Sequence, residues 1–253
     1  MQQIKTRIEH SDCLDRLQQH VEENIIAFHR DRTEKLKKFD LKTELEHKNP
    51  YLLQIKNIII AANFVETILD AYLSSQEETL FGGFLEGLAV YVCQYVYGGN
   101  KSSAEGIDLE FEKDGARYIV SIKSGPHWGN SSQIKRMKDN FRKAKRILGT
   151  NTASSPNVVA VNGCCYGRDN TPDKGEYLKL CGQRFWSFIS GNEMLYTEII
   201  DPLGHKAKEK NEQFLEEYAK VVNKFSREFM EMFCDTSGRI HWDKVIHFNS
   251  GQA

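Results

Sequence analysis

A hairpin signal between Gly106 and Asn130 constrains the fold of this chain more than any other feature. The dipeptide Asp114-Gly115 is typical of a two-residue type I′ turn, because both of its positions take a positive φ. Counting outward from that turn gives the pairs Lys113–Ala116, Glu112–Arg117, Phe111–Tyr118, Leu109–Val120 and Asp108–Ser121. The segment is therefore predicted to form two antiparallel strands in one fixed register.

This register divides the hairpin side chains between two faces. Successive residues of a strand point to opposite sides of the sheet, so residues two apart share a face. One face is predicted to be apolar and to carry Ile107, Leu109, Phe111, Tyr118, Val120 and Ile122. The opposite face is predicted to carry Asp108, Glu110, Ser121 and Lys123.

Asp108 and Lys123 lie on a diagonal of the predicted hairpin, roughly 7–8 Å apart at the backbone and closer at their side-chain tips. A carboxylate can hold a divalent metal ion that activates water. An ammonium can orient that water or stabilise charge on a phosphate. The pair therefore suits phosphodiester hydrolysis. A plain surface hairpin with a salt bridge shows the same alternation and remains an alternative.

Three acids could add a second carboxylate, namely Glu86, Glu110 and Asp139. Glu86 lies in a helical segment that is apolar almost all round, and a glutamate there must be paired, hydrogen-bonded or bound to a metal. We rank Glu86 first and Glu110, on the same strand face as Asp108, second. Glu86 could also simply bond a buried partner.

A polar loop and a basic helix follow Lys123. The loop SGPHWGNSSQ offers small, amide and hydroxyl side chains suited to phosphate and base-edge contacts. The helix QIKRMKDNFRKAKRIL could bring positive charge to phosphates, although a solvated helix face is the alternative. The candidate DNA contacts are Trp128, Asn130, Ser131, Gln133, Lys135, Arg136 and Arg168.

The N-terminal part of the chain is predicted to be helical. One or two charged helices are expected over residues 13–48, and a largely buried, nearly apolar helix over 51–75. A further apolar helix is expected to end before residue 100. The predicted boundaries are a stop at Asn49-Pro50, an N-cap at Ser74 or Ser75, and a stop at Gly98-Gly99.

The C-terminal part mixes strands and helices. NVVAVNGCCYG and MLYTEIID are predicted as strands, and CGQRFWSFISG as a helix. A long helix over residues 208–234 carries an apolar stripe that suits a core or a dimer contact. The fold class is therefore α/β, a small mixed sheet flanked by helices, with added N- and C-terminal helices. We expect a helical region over 1–50 for dimer or DNA contact, and the main domain over 51–253.

Composition limits the environment and the partners. The 253 residues have a net charge of −1, so the bulk charge alone predicts no nucleic-acid partner. We found no signal peptide and no apolar run near the roughly 20 residues of a membrane span. The six cysteines, at 13, 93, 164, 165, 181 and 234, are then expected to be reduced thiols in a cytoplasmic protein.

Several short motifs resemble a known family. Ile107-Asp108 followed by Ser121-Ile122-Lys123 resembles the PD-(D/E)xK nuclease signature, with Ser121 in place of its second acid. The strings GIDLEF, IKSGPHWGNSSQ, VNGCCYGR, KLCGQRFWSFISG and IHWDKVIHFNS resemble the PmeII-like group of type II restriction endonucleases. The resemblance covers roughly residues 49–250.

The resemblance implies a restriction-endonuclease-like core and a homodimeric, Mg²⁺-dependent enzyme that cuts double-stranded DNA at a short palindromic sequence. It also implies a cognate DNA methyltransferase in the same system. Asp108 matches the metal-binding acid, Lys123 the catalytic lysine, and Glu86 an acid on the helix before the hairpin. Ser121 occupies the position of the second acid, and we include it with Asp108, Lys123 and Glu86 among the candidate catalytic residues. Because Ser121 departs from the pattern, the second carboxylate is expected from elsewhere in the chain.

Two other functions fit the same residues. A structure-selective DNA repair nuclease would use the hairpin without sequence preference. A non-catalytic DNA-binding protein would have lost its site at Ser121, although Asp108 and Lys123 on one face argue against such a loss.

Overall fold

The computed structural model describes residues 2–150 and 157–252, and it describes side chains over 15–148 and 157–252. The side chain of Cys13 therefore lies outside the described residues. The chain divides into two compact units. The sheet unit comprises the chain up to Ile25 and Phe81–His205, and the helical unit comprises Ile26–Leu80 and the chain from Lys206.

Helices dominate both ends of the described chain. The N-terminal half contains α1 (Gln2–Lys37), α2 (Leu41–Glu46), α3 (Pro50–Ile55) and α4 (Ala61–Tyr97). The middle contains β1 (Leu109–Lys113), β2 (Ala116–Lys123), α5 (Ser131–Thr150), β3 (Asn157–Cys164) and β4 (Leu178–Cys181). The remainder contains α6 (Gln183–Ser190), α7 (Leu195–Glu198), α8 (Ile200–Leu203), α9 (Ala207–Phe233) and α10 (Trp242–Ser250).

Within the described ranges the sheet has four strands in the order β1-β2-β3-β4. β1 and β2 are antiparallel, and the pairs β2–β3 and β3–β4 are parallel. The β1–β2 pairing runs from Leu109 opposite Val120 to Lys113 opposite Ala116, which confirms the predicted register. Asp114 and Gly115 both have positive φ, at 50° and 75°. This mixed sheet with flanking helices confirms the predicted α/β class and agrees with a restriction-endonuclease-like core.

Two hydrophobic clusters cover the two faces of the sheet. Leu109, Phe111, Val120 and Ile122 pack in a cluster with residues of α4 and α6. Ile119 and Ala160 pack on the other face in a cluster with Met137, Phe141 and Ala144 of α5. The hairpin is thus held between two layers of helices.

Ile107 is the exception to the predicted alternation. It belongs to the cluster with Ile119, on the face opposite to the predicted one. Its N–H bonds to the carbonyl of Ala104, and Gly106 before it has a φ of 72°. Ile107 is therefore part of a turn ahead of β1, where the two-residue period of a strand does not apply.

Of the predicted boundaries in the N-terminal half, two are confirmed and two are wrong. The boundary at Asn49-Pro50 is confirmed, because α2 ends at Glu46 and the Asn49 side chain caps α3, with Pro50 in its first turn. The predicted helix over 51–75 is interrupted after Ile55. No helix begins at Ser74 or Ser75, since α4 runs through both without a helix-breaking residue. The predicted stop is confirmed, with Gly98 at a φ of 66° just after α4.

Helix α4 is the longest apolar element. By length and composition it could cross a membrane, contrary to the expectation drawn from apolar runs, but the core helix of a globular protein meets the same criteria. Leu85, Leu88, Ala89 and Val92 of α4 are buried in the cluster on the sheet.

The helical unit is built around α9. The predicted apolar stripe is confirmed, because Phe214, Phe225 and Phe229 are buried in the core of this unit. Phe229 stacks on Phe64 with ring centroids 4.3 Å apart. The segment MLYTEIID does not form the predicted strand and contributes to the short helices α7 and α8 instead.

Candidate active site

The hairpin brings Asp108 and Lys123 together. The Nζ of Lys123 lies 3.8 Å from Oδ2 of Asp108. The main-chain N–H of Ile122 donates a 2.6 Å hydrogen bond to the same carboxylate oxygen, and Lys123 Nζ donates to the Ile122 carbonyl at 2.8 Å. Both charged side chains are only partly exposed. An acid and an ammonium thus converge where the hairpin strands open.

Glu86 adds a second carboxylate from α4. Burial raises the pKa of Glu86, and the charge of Asp108 raises it further, while Lys101 and Lys123 act in the opposite direction. Four residues earlier, a Cβ placed on Gly82 would lie 2.7 Å from Ser124 Oγ. Helix α4 therefore lies close to the end of β2 at Gly82. The Glu86 carboxylate therefore lies in the electrostatic field of the Asp108–Lys123 pair.

The other two candidate acids already have protein partners. Arg117 Nη2 donates to Glu110 Oε2 at 2.7 Å, and the Ser102 hydroxyl donates to Glu110 Oε1. On α5, Asp139 accepts a 2.8 Å hydrogen bond from Arg142. No such protein partner is found for the Glu86 carboxylate among the described side chains, and the charge of Asp108 contributes to its raised pKa.

Ser121 is almost completely buried, at 2% exposure. In the parallel ladder it stands beside Asn162 of β3, whose Nδ2 donates to the Ser121 carbonyl at 3.1 Å. Asn162 is itself 1% exposed. The position that carries the second acid of the nuclease signature is therefore a dry, hydrogen-bonded part of the sheet.

The loop after β2 engages most of its polar groups internally. Asn130 Oδ1 accepts from the N–H groups of Ser132 and Gln133 at 3.1 and 3.0 Å. In return, Gln133 Oε1 accepts from the Asn130 N–H at 2.9 Å. This reciprocal pattern is a capping box at the start of α5. Ser131, between them, is exposed.

The basic helix α5 is partly neutralised by acids of the same unit. Arg142 bonds Glu176 at 2.6 Å, and Lys138 lies 3.4 Å from the same carboxylate. Arg136 pairs with Glu105 at 3.0 Å, and both side chains are mostly exposed. Lys135 is exposed as well. Positive charge available to a phosphate is therefore smaller than the sequence of α5 suggests.

Arg168 lies in the loop that follows β3. It is exposed, and it lines a pocket together with Tyr166, Gln183 and Arg184. Because parallel strands end at the same edge of a sheet, this loop and the loop after Lys123 are neighbours. Gly125 accordingly lies against the Tyr166 ring, where a Cβ would come within 2.6 Å of the Tyr166 hydroxyl oxygen.

The carboxylates of Asp108 and Glu86 are oxygen donors of the kind that a divalent metal ion binds. Among the described residues, no cluster of three or more histidine, cysteine, aspartate or glutamate side chains is arranged to hold a metal. Mg²⁺ does not require one, because it is commonly held by one or two carboxylates, with waters and substrate phosphates completing its shell. Asp108 and Glu86 provide two carboxylates that repel each other, and a cation between them would relieve that repulsion.

Sequence reasoning missed Asn162 as part of this site. Its Oδ1 accepts a 3.1 Å hydrogen bond from Nε1 of Trp128. A single asparagine in the otherwise apolar run VVAVNG was the available signal, because a buried amide must find partners. The partners themselves come from segments more than 30 residues away in sequence.

The mixed sheet between helices, with an acid and a lysine at the mouth of its hairpin, is consistent with the class of restriction-endonuclease-like proteins. Residues 15–211 match the family described as type II restriction endonuclease EcoO109I, and this match covers well over half of the chain. The chain therefore belongs to that family. The match names EcoO109I and not the PmeII-like group that the motifs resembled. No curated protein matches the chain.

Proposed function

We propose that this type II restriction endonuclease hydrolyses double-stranded DNA at a short palindromic sequence in a Mg²⁺-dependent reaction. The observation that carries the proposal is the 3.8 Å approach of Lys123 Nζ to Asp108, with the Glu86 carboxylate in the field of both. A carboxylate pair beside an ammonium can bind a metal ion and a phosphate on adjoining surfaces. A PmeII-like specificity within the family stays a proposal, supported by the sequence motifs alone.

Each residue has a distinct role in this proposal. Asp108 and Glu86 would hold Mg²⁺, which supplies an activated water and neutralises charge on the phosphate. Lys123 orients the attacking water and stabilises the additional negative charge that develops on the phosphate oxygens. The Ile122 N–H fixes the Asp108 carboxylate in place through its 2.6 Å hydrogen bond. Glu110 is the second choice as a metal ligand, because Arg117 and Ser102 already occupy it.

DNA is expected to contact the protein around this hairpin. The exposed Ser131, Lys135 and Arg168 are available for phosphate or base contacts. Trp128, Asn130, Gln133 and Arg136 would have to exchange or share internal hydrogen bonds or ion pairs to do so. A palindromic site is read most simply by a symmetric homodimer, which we propose as the active form.

The proposed biological setting is a restriction system. A nuclease of this kind requires a cognate DNA methyltransferase to protect the host sequence. The described cysteines, Cys93, Cys164, Cys165, Cys181 and Cys234, are all free thiols. Free thiols suit the reducing cytoplasm that we propose as the location.

Digestion of a defined plasmid by the purified full chain, with and without Mg²⁺, tests the proposal. Discrete fragments that require Mg²⁺ and disappear with Asp108→Ala are the expected result. A smear with the same metal dependence would favour a structure-selective repair nuclease. DNA binding without any cleavage would mean that the protein only binds.

A further inference from the structure

The Lys123 ammonium is bounded on one side by an aromatic ring. Its Nζ lies 5.5 Å from the centroid of the Trp128 ring, within the range of a cation–π contact. The same Nζ donates to the Ile122 carbonyl at 2.8 Å and lies 3.8 Å from Asp108. A flexible lysine chain is thus surrounded by an anion, a carbonyl dipole and an aromatic face.

Trp128 is itself fixed by the sheet. Its Nε1 donates a 3.1 Å hydrogen bond to Asn162 Oδ1, and Asn162 is 1% exposed. The Nδ2 of Asn162 is in turn committed to the Ser121 carbonyl at 3.1 Å. The ring also packs against the cluster that contains Ile119 and Met137. The Ser121 carbonyl therefore fixes the Asn162 amide, and the Oδ1 of that amide holds the indole.

We propose that Trp128 is a positioning residue for Lys123, supported by Asn162 from the neighbouring strand. The cation–π contact holds the Lys123 ammonium beside Asp108 and limits its motion into solvent. The ammonium is then already positioned when the reacting phosphate binds. This inference rests on the proposed role of Lys123 in catalysis. It differs from a DNA-reading role for Trp128, because the indole N–H is already bonded inside the protein.

Kinetics of two matched variants separate these roles. Trp128→Leu removes the aromatic face but keeps apolar bulk, and we expect kcat to fall about tenfold with KM for DNA nearly unchanged. Trp128→Phe keeps an aromatic face, and we expect a smaller loss. A rise in KM with kcat intact would overturn the inference and make Trp128 a DNA contact. Unchanged kcat and KM in Trp128→Leu would overturn it as well.

A measurement independent of cleavage tests the contact directly. Lys123→Met removes the cation near the Trp128 ring. The tryptophan fluorescence of this variant should therefore differ from that of the unchanged chain. The same substitution in the Trp128→Phe chain should leave the emission of the remaining two tryptophans unchanged. Identical emission with and without the Lys123 ammonium would contradict the inference even if the nuclease activity is confirmed. If the unchanged chain does not cut DNA, an emission change on Lys123→Met would still support the contact and would leave only the proposed function contradicted.

Discussion

The Ile122 N–H and the Asp108 carboxylate are joined by a 2.6 Å hydrogen bond across the open end of the hairpin. Ile122 directly precedes Lys123, so the residue that fixes the acid is covalently linked to the residue that carries the ammonium. The hairpin register, set at the Asp114-Gly115 turn, therefore determines the spacing of the two charged groups. A shift of one residue would send Lys123 to the opposite face of the sheet.

Removing the Lys123 ammonium should stop cleavage and spare binding. We expect Lys123→Ala to lower the cleavage rate at least about 100-fold, as for other residues that act on the transition state. DNA affinity in a gel shift without Mg²⁺ should stay close to that of the unchanged chain. Lys56→Ala, at an exposed lysine of the helical unit, serves as the control. Cleavage by Lys123→Ala at the normal rate would show that the site is assigned incorrectly.

Glu86 should make the metal-free protein less stable at neutral pH. Because burial and the Asp108 charge raise its pKa, the folded state binds the Glu86 proton more tightly than the unfolded chain does. Its favourable contribution is complete below the unfolded pKa of about 4.3 and is lost as the pH rises through the raised value. In EDTA, Glu86→Gln should therefore raise Tm at pH 8, with a smaller difference near pH 4.

Mg²⁺ should reverse this difference in Tm, so that the unchanged chain becomes more stable than Glu86→Gln. Binding to the folded state raises Tm, and this gain requires both carboxylates. We expect Mg²⁺ to stabilise the unchanged chain and to have little effect on Glu86→Gln. Glu112→Gln, at an exposed glutamate of the same hairpin, should respond to Mg²⁺ normally. An equal Mg²⁺ response in all three proteins would argue against Glu86 as a ligand.

Asn130 should stabilise the folded protein because its side chain caps the start of α5. Asn130→Ala removes the acceptor for the Ser132 and Gln133 N–H groups, which typically costs about 1 kcal/mol. Asn130→Asp keeps an acceptor there and should retain the unfolding free energy measured by denaturant titration. If Asn130 also contacts DNA, both variants will bind DNA more weakly. Equal stability of Asn130→Ala and the unchanged chain would contradict the capping role.

The described cysteines should react slowly with thiol reagents. Burial raises the pKa of Cys93 and of Cys165 to about 12, and Glu86 adds to the shift of Cys165. Because the thiolate is the reactive form, only about one molecule in ten thousand is reactive at pH 8. Among the described thiols, the partly exposed Cys234 should react first. Rapid labelling of Cys165 in the folded protein, detected by mass spectrometry, would contradict this.

The hairpin was predictable from sequence because the residues that specify it are close together in the chain. Turn chemistry at Asp114-Gly115 and the alternation of β1 and β2 fix the register without any distant contact. Glu86 drew attention in the same local way, as the single acid between Leu80 and Tyr97, and its role as a metal ligand stays a prediction.

Distant contacts explain what the sequence did not predict. Glu176 neutralises cations of α5 from a separate loop, and Asn162 reaches Trp128 and the Ser121 carbonyl from the neighbouring strand. Helix α4 continues through Ser74, with Leu69 and Leu73 buried before it and Leu85 and Leu88 buried after it, so burial outweighs the local preference of serine for a helix start. These features become visible only when the chain is folded.

The central claim is that Glu86 supplies the carboxylate missing at Ser121. The most direct test is single-turnover cleavage of a DNA containing the recognised site, measured over a range of Mg²⁺ concentrations. Glu86→Gln is predicted to lose cleavage at every Mg²⁺ concentration, while Glu110→Gln, which disturbs the Arg117 pair, should cut at close to the normal rate. Full activity of Glu86→Gln together with an inactive Glu110→Gln would contradict the claim and assign the second carboxylate to the hairpin itself.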